Sequence, residues 1–458
     1  MTSAIRADRW SWLMAAIATL GFVVLLWLGR GMTFFWDEWE FIETRSLGDP
    51  GTWFAPHNEH WSTLPILVYR ALVETVGLHS YVPYLAIVAL LHVAVVVAVF
   101  QLVRGATRSG PLAVGAGLVV TLFGSGFENL FWGFQIGFVG ATALCLWAMV
   151  ALRTDMPMSR RRIAIAVILL TSALATAGVA IAFTAAIIVE LLVDPRRRRI
   201  VPWLFVPMAV WAAWYLSIGR SAAAFGDNSI GLTSFLEVPG VVIGGFSSAA
   251  GAISGVGPAL GFVVAITLVV AAGWRLVRSG RLAPEFIGPI AGVAVLYAVV
   301  GVTRGPTDVG IAVNPRLTYE SGILLLVGAA ALLGRFQIPD GGAGRLAILT
   351  AAGGVIAISV AFNARLLLDG RTLFLERADL TRALVTVALD PDRPPAVDPN
   401  RSLVVVPSPA SLERIVARYG SPLTDALVRD AIRPIPDETL AEAWRWLTEG
   451  PPPKVTGG

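Results

Sequence analysis

The stretch FFWDEWEFIE at 34–43 places Asp37, Glu38, Glu40 and Glu43 among aromatic rings, and Asp49 and Glu59 follow within twenty residues. A carboxylate held between indoles at headgroup level suits a general base acting on a lipid-borne substrate. Partial desolvation by Trp36 and Trp39 would raise the pKa of Asp37 or Glu38 toward a working value, and a basic partner would lower it again. In PHNEHW, His57 and His60 are three apart and expected on one helix face with Glu59 nearby. Such a set could bind a divalent cation, orient a carboxylate or hydrogen-bond sugar hydroxyls, and spacing does not choose among these.

Two further stretches carry polar groups in apolar surroundings. GSGFENLFWGFQIGF at 124–138 sets Glu128, Asn129 and Gln135 beside Trp132 and four phenylalanines. Rings that stack on sugar C–H faces and amides that take hydroxyls make a carbohydrate grip, although an interfacial aromatic belt has the same composition. The loop RGPTDVGIAVNPRLTYE carries Arg304, Asp308, Arg316, Tyr319 and Glu320. Arginine at a bilayer edge is costly unless an anion compensates, and its planar fork fits phosphate. Tyr319, three after Arg316, is expected on the same face to add a hydroxyl. His92, inside an apolar run, reads as a helix–helix hydrogen bond.

These groups need a membrane to position them. Of 458 residues 56% are hydrophobic and 14% charged, against about a quarter charged in soluble domains. Apolar runs of about 18–20 residues match an α-helical crossing, and the alternating pattern of an outer-membrane barrel is missing. The expected class is all-α and polytopic. Eleven spans are predicted, near 12–28, 83–103, 111–125, 134–152, 163–176, 179–193, 200–218, 258–276, 286–303, 317–334 and 345–363. The first follows Arg6 and Arg9 without a small-residue cleavage site and reads as a retained helix.

Basic clusters at Arg104 and Arg108, at Arg153 and Arg160–Arg162, at Arg196–Arg199, at Arg275, Arg278 and Arg281, and at Arg335 define the cytoplasmic side. The run 163–193 has such clusters at both ends, so it must cross an even number of times, as a pair of short helices turning near Gly178. The amino terminus is then cytoplasmic, and 29–82, 126–133, 219–257, 304–316 and 364–458 face outward. Leu64–Val76, interrupted by Arg70 and Glu74, is expected as an amphipathic helix along the interface, and 219–257, rich in Gly and Ser, as a partly ordered loop. Residues 1–363 read as a transmembrane catalytic domain with its first external loop at 29–82. Residues 364–458 read as a small extracytoplasmic α/β domain, with a strand at 402–406 and helices at 410–419 and 437–448. The one cysteine, Cys145, permits no intramolecular disulfide. The net charge of +4 follows topology and implies no nucleic-acid partner.

FFWDEWEF directly after the first span, the short helix pair at 163–193, the late NPRLTYE loop and a terminal external domain together resemble the GT-C superfamily of integral membrane glycosyltransferases. The resemblance covers the architecture of nearly the whole chain, with specific motifs of about thirty residues. It implies a bacterial inner-membrane enzyme that moves a sugar, with inversion, from a polyprenyl-phosphate donor to a glycan or glycolipid acceptor. Asp37, with Glu38 as neighbour, matches the superfamily's acidic base, while Arg316 and Tyr319, with Arg304, match its phosphate contacts. No nucleotide or redox cofactor is implied, and Asp37, His57 and His60 leave room for Mg²⁺ or Mn²⁺. Rival readings are a polymerase or ligase working on polyprenyl-diphosphate-linked glycans, expected to need a large late external loop, and a transporter without chemistry. A transporter would show internal repeats and midplane charges. The sequence has no fixed-period repeat, and its charges gather at span ends.

Overall fold

The computed structural model describes residues 8–58, 60–153, 158–222, 231–304, 310–334, 342–394, 397–423 and 434–452. Glu59, Asp308 and Arg335 lie outside them. The first helix, α1 (Arg9–Leu28), is followed by three helices in the acidic loop: α2 (Asp37–Thr44), α3 (Gly51–Phe54) and α4 (Thr63–Thr75). The bundle continues with α5 (Val82–Thr107), α6 (Gly110–Thr121), α7 (Phe127–Phe131), α8 (Ile136–Leu152), α9 (Arg160–Leu174), α10 (Ala180–Val193) and α11 (Val201–Ser217). It closes with α12 (Leu232–Ser254), α13 (Gly257–Ser279), α14 (Pro284–Arg304), α15 (Pro315–Leu333), α16 (Gly342–Ala388), α17 (Pro409–Tyr419) and α18 (Asp437–Glu449).

Every expected span is helical. Among the described residues ten helices are long and apolar enough to cross a bilayer, and α9 and α10 form the short pair, with 15 and 14 residues. The count differs from eleven because the two helices of the short pair fall below the length of a span, while α12, long and apolar enough to be one of the ten, occupies the expected loop 219–257. Its glycines, which read as loop signals, serve close packing. A Cβ on Gly245 would come within 2.2 Å of the Tyr297 ring, and one on Gly251 within 2.3 Å of the Gly257 carbonyl. Small residues of this kind let apolar helices approach backbone to backbone. The chain enters α12 beside the last turn of α14, where Val238 and Val241 pack on Gly301, and leaves it beside Ser125 and Asn363, both bonded to the Ala252 region.

The expected strand at 402–406 is a correction: the segment is irregular, and no strand forms among the described residues. Val404 has φ +63°, a left-handed conformation that β-branched residues adopt only under constraint. Leu403 and Val406 are buried, and the Val405 carbonyl accepts from the Trp36 N–H at 3.0 Å. A continuous apolar run here packs against the bundle instead of pairing in a sheet. The two helices expected beyond it are present as α17 and α18. Helix α16 runs 47 residues without a break through position 364. Leu384, Leu412 and Leu447 belong to the same buried cluster as Met14 and Leu324.

Candidate active site

Two residues after the Phe35 carbonyl turns inward, α2 begins at Asp37. Trp36, its N-terminal neighbour, has φ +52° and ψ −114°, a strained conformation that costs roughly 1–3 kcal/mol in a non-glycine residue. The Val405 carbonyl fixes it from the far end of the sequence. This backbone separates the two candidate acids. Asp37 stays at the surface with its side chain 22% exposed, beside the exposed indole of Trp36.

Glu38 turns the other way and is fully buried. Its Oε2 accepts from the Phe35 N–H at 2.7 Å, and its Oε1 accepts from the Tyr81 hydroxyl at 2.8 Å and from the Tyr69 hydroxyl. Tyr81 in turn accepts from the Gly133 N–H at 2.8 Å. Burial lifts the Glu38 carboxyl to about 8, against the pull of these donors. A mostly protonated acid at neutral pH therefore staples the acidic loop to α4, to the residue before α5 and to the turn before α8.

The histidines do not share a helix face, which corrects the expectation for them. His57 and His60 exchange backbone hydrogen bonds across a tight turn, with Asn58 at φ +50°. His57 is buried, with Nδ1 at 3.2 Å from Glu40 and Nε2 at 3.9 Å from Asp37. Burial pulls its pKa down, yet the two carboxylates outweigh that and hold it at about 9. The His60 ring packs against Phe138 and Gly178 instead. Asp37, His57 and His60 do not converge, and among the described residues no three His, Cys, Asp or Glu side chains could hold a metal ion.

A histidine with a folded pKa above its unfolded value contributes stability that is complete below the unfolded pKa and lost as pH rises through the folded one. Buried Glu38 acts in the same direction. The unfolding midpoint in detergent should therefore decline between about pH 6.5 and pH 9, and His57→Gln should flatten the upper part of that decline. A midpoint that climbs across this interval would contradict the charged His57 between Asp37 and Glu40.

The second group of candidates surrounds Glu128 in α7. Its two oxygens lie 3.3 Å from Arg316 Nε in α15 and 3.3 Å from Arg377 Nη1 in α16. The guanidinium of Arg316 also lies over the Trp132 ring at 5.7 Å, and that of Arg377 over Phe35 at 5.4 Å. Both stay partly exposed, at 26% and 30%. The Trp132 indole donates to the Phe35 carbonyl at 3.3 Å. The arginines and the acids thus meet at one end of the bundle, joined through Phe35 and Trp132.

Other candidates serve packing. Trp132 is buried among Phe35, Phe134 and Arg316 and presents no free face to a sugar. Tyr319, expected beside Arg316, is buried, and its hydroxyl bonds His92 at 2.7 Å, the helix–helix bond expected for that histidine. Asn129 donates to Glu320 at 2.8 Å, and Glu128 has its two arginines, so neither lacks a structural partner as the sequence suggests. Gln135 is fully buried at the start of α8. Arg304 closes α14. Arg377, Tyr69 and Tyr81 are the contributors the sequence reading misses. The i, i+3 pair Phe374–Arg377, read as helix continuing past 364, was the available signal for the first.

The chain is a polytopic helical bundle whose acidic first loop and late arginines lie at one end, and it shares this fold with a solved membrane protein. The chain is similar to the crystal structure of ArnT from Cupriavidus metallidurans in the apo state, a GT-C family glycosyltransferase, with TM-score 0.53 and 14% identity, over 88% of this chain and 84% of that one. The sequence matches no protein-family model and no curated protein.

Proposed function

We propose that the chain is an inverting glycosyltransferase of the GT-C type, moving a sugar from a polyprenyl-phosphate donor to a glycan or glycolipid acceptor at the outer face of a bacterial inner membrane. The observation that carries this reading is that Phe35, two residues before Asp37, joins Trp132 and Arg377, with Arg316 over the Trp132 ring. Two guanidiniums against the single carboxylate of Glu128 leave one net positive charge, suited to a lipid phosphate.

Asp37 takes the proton from the acceptor hydroxyl as that oxygen bonds the anomeric carbon. The bond from that carbon to the phosphate oxygen breaks, and its electron pair stays on the phosphate. Arg316 and Arg377 offset the charge accumulating there, an electrostatic contribution of several kcal/mol in a site poor in water. His57 lies behind both loop acids, 3.9 Å from Asp37 and 3.2 Å from Glu40. Glu38 orients the loop without touching substrate.

The test is reconstitution of the purified protein with radiolabelled polyprenyl-phosphate sugars and crude cell-envelope acceptor. Wild type should transfer label, and Arg316→Gln should slow transfer by about 10- to 100-fold, Arg377 keeping part of the load. Label that crosses the membrane without being transferred would favour the transporter reading.

A further inference from the structure

At the end of the bundle opposite Asp37 a cavity of about 1190 Å³ opens among the ends of α5, α8, α13 and α15 and the start of α14. Six arginines from four separate segments line it: Arg104, Arg108, Arg153, Arg196, Arg197 and Arg275. They form two layers. Glu190 binds Arg153 at 2.5 Å and Arg197 at 3.2 Å, and Arg197 also reaches Asp194 at 2.5 Å and Glu285 at 2.7 Å. Asp8 pairs with Arg104. These four carboxylates more than neutralise the three inner arginines. Arg196 and Arg275 are exposed at the rim.

Arginines placed only to orient a membrane protein are scattered along its loops. Here they converge on one hollow whose wall also holds Leu102, Val150 and Ala331. The volume exceeds the roughly 300–1,000 Å³ of small-molecule sites, as a headgroup with the tops of its acyl chains requires. The inner ion pairs fix the frame, and the exposed guanidiniums of Arg196 and Arg275 can donate in pairs to phosphate oxygens.

We infer that this cavity binds a phosphate ester carried on an apolar tail, an anionic lipid held apart from the transfer site and independently of the reaction there. The source is either a bilayer phospholipid or a polyprenyl phosphate. The purified full chain in neutral detergent is titrated with phosphatidylglycerol, polyprenyl phosphate, phosphatidylcholine and inorganic phosphate, and its unfolding midpoint is followed.

Phosphatidylglycerol or polyprenyl phosphate should raise the midpoint saturably, the tighter of the two identifying the source, while phosphatidylcholine leaves it unmoved. The double variant Arg196→Gln/Arg275→Gln should weaken that response at least about tenfold. Both side chains are exposed, so its lipid-free midpoint should match wild type. Arg365→Gln, exposed on α16 outside the cavity, should respond as wild type. Equal responses to phosphatidylcholine, an equal effect of inorganic phosphate alone, an undiminished response in the double variant, or equal weakening in Arg365→Gln would each overturn the inference.

Discussion

Asp37→Asn should yield a folded protein that transfers sugar about 10²- to 10⁴-fold more slowly than wild type, the usual contribution of a positioned general base. The substitution keeps the shape of the side chain and removes its ability to take a proton. It should not disturb the loop, because Asp37 is partly exposed and its nearest charged partner, His57, lies 3.9 Å away and keeps Glu40. Single-turnover transfer from a radiolabelled donor isolates the chemical step, and an unchanged unfolding midpoint certifies the fold. Equal single-turnover rates for variant and wild type would remove Asp37 from the base role and leave Glu40 as the remaining exposed acid beside His57.

Glu38→Ala should abolish activity by a different route. It strands the Phe35 N–H and the two tyrosine hydroxyls in a buried setting, and each unsatisfied group costs about 1–3 kcal/mol. A cavity adds to that cost. The protein should lose on the order of 3 kcal/mol of stability, and the loop that presents Asp37 should loosen. Glu38→Gln keeps the volume and the neutrality of a protonated acid, so it should retain most of the stability and a measurable share of the activity. If Gln proves as damaging as Ala, the donors around this position hold a charged carboxylate, and Glu38 is not the neutral staple described above.

The contrast between the two acids shows where sequence reading stops. Apolar run length marks every expected span. Which acid faces out depends on Tyr69 and Tyr81, 31 and 43 residues beyond Glu38, and no local pattern predicts that enclosure. Tyr319 has the spacing of a phosphate ligand, but the decisive fact is a hydroxyl bond to His92 across 227 residues. Helix α12 is hidden for another reason. Glycine and serine mark loops in water, whereas between helices in a bilayer they permit contact. Arg377 is missed because the change in composition after residue 363 resembles a boundary, although the helix carrying it does not end there.

The bond from Trp36 to Val405 also bears on how the molecule comes into being. It joins positions 369 residues apart (405 − 36), so the first loop emerges from the ribosome long before the carbonyl that fixes its strained turn. Closing so long a loop carries an entropic cost that only completed packing offsets. The turn at Trp36 is therefore fixed only after Val405 has been made and packed.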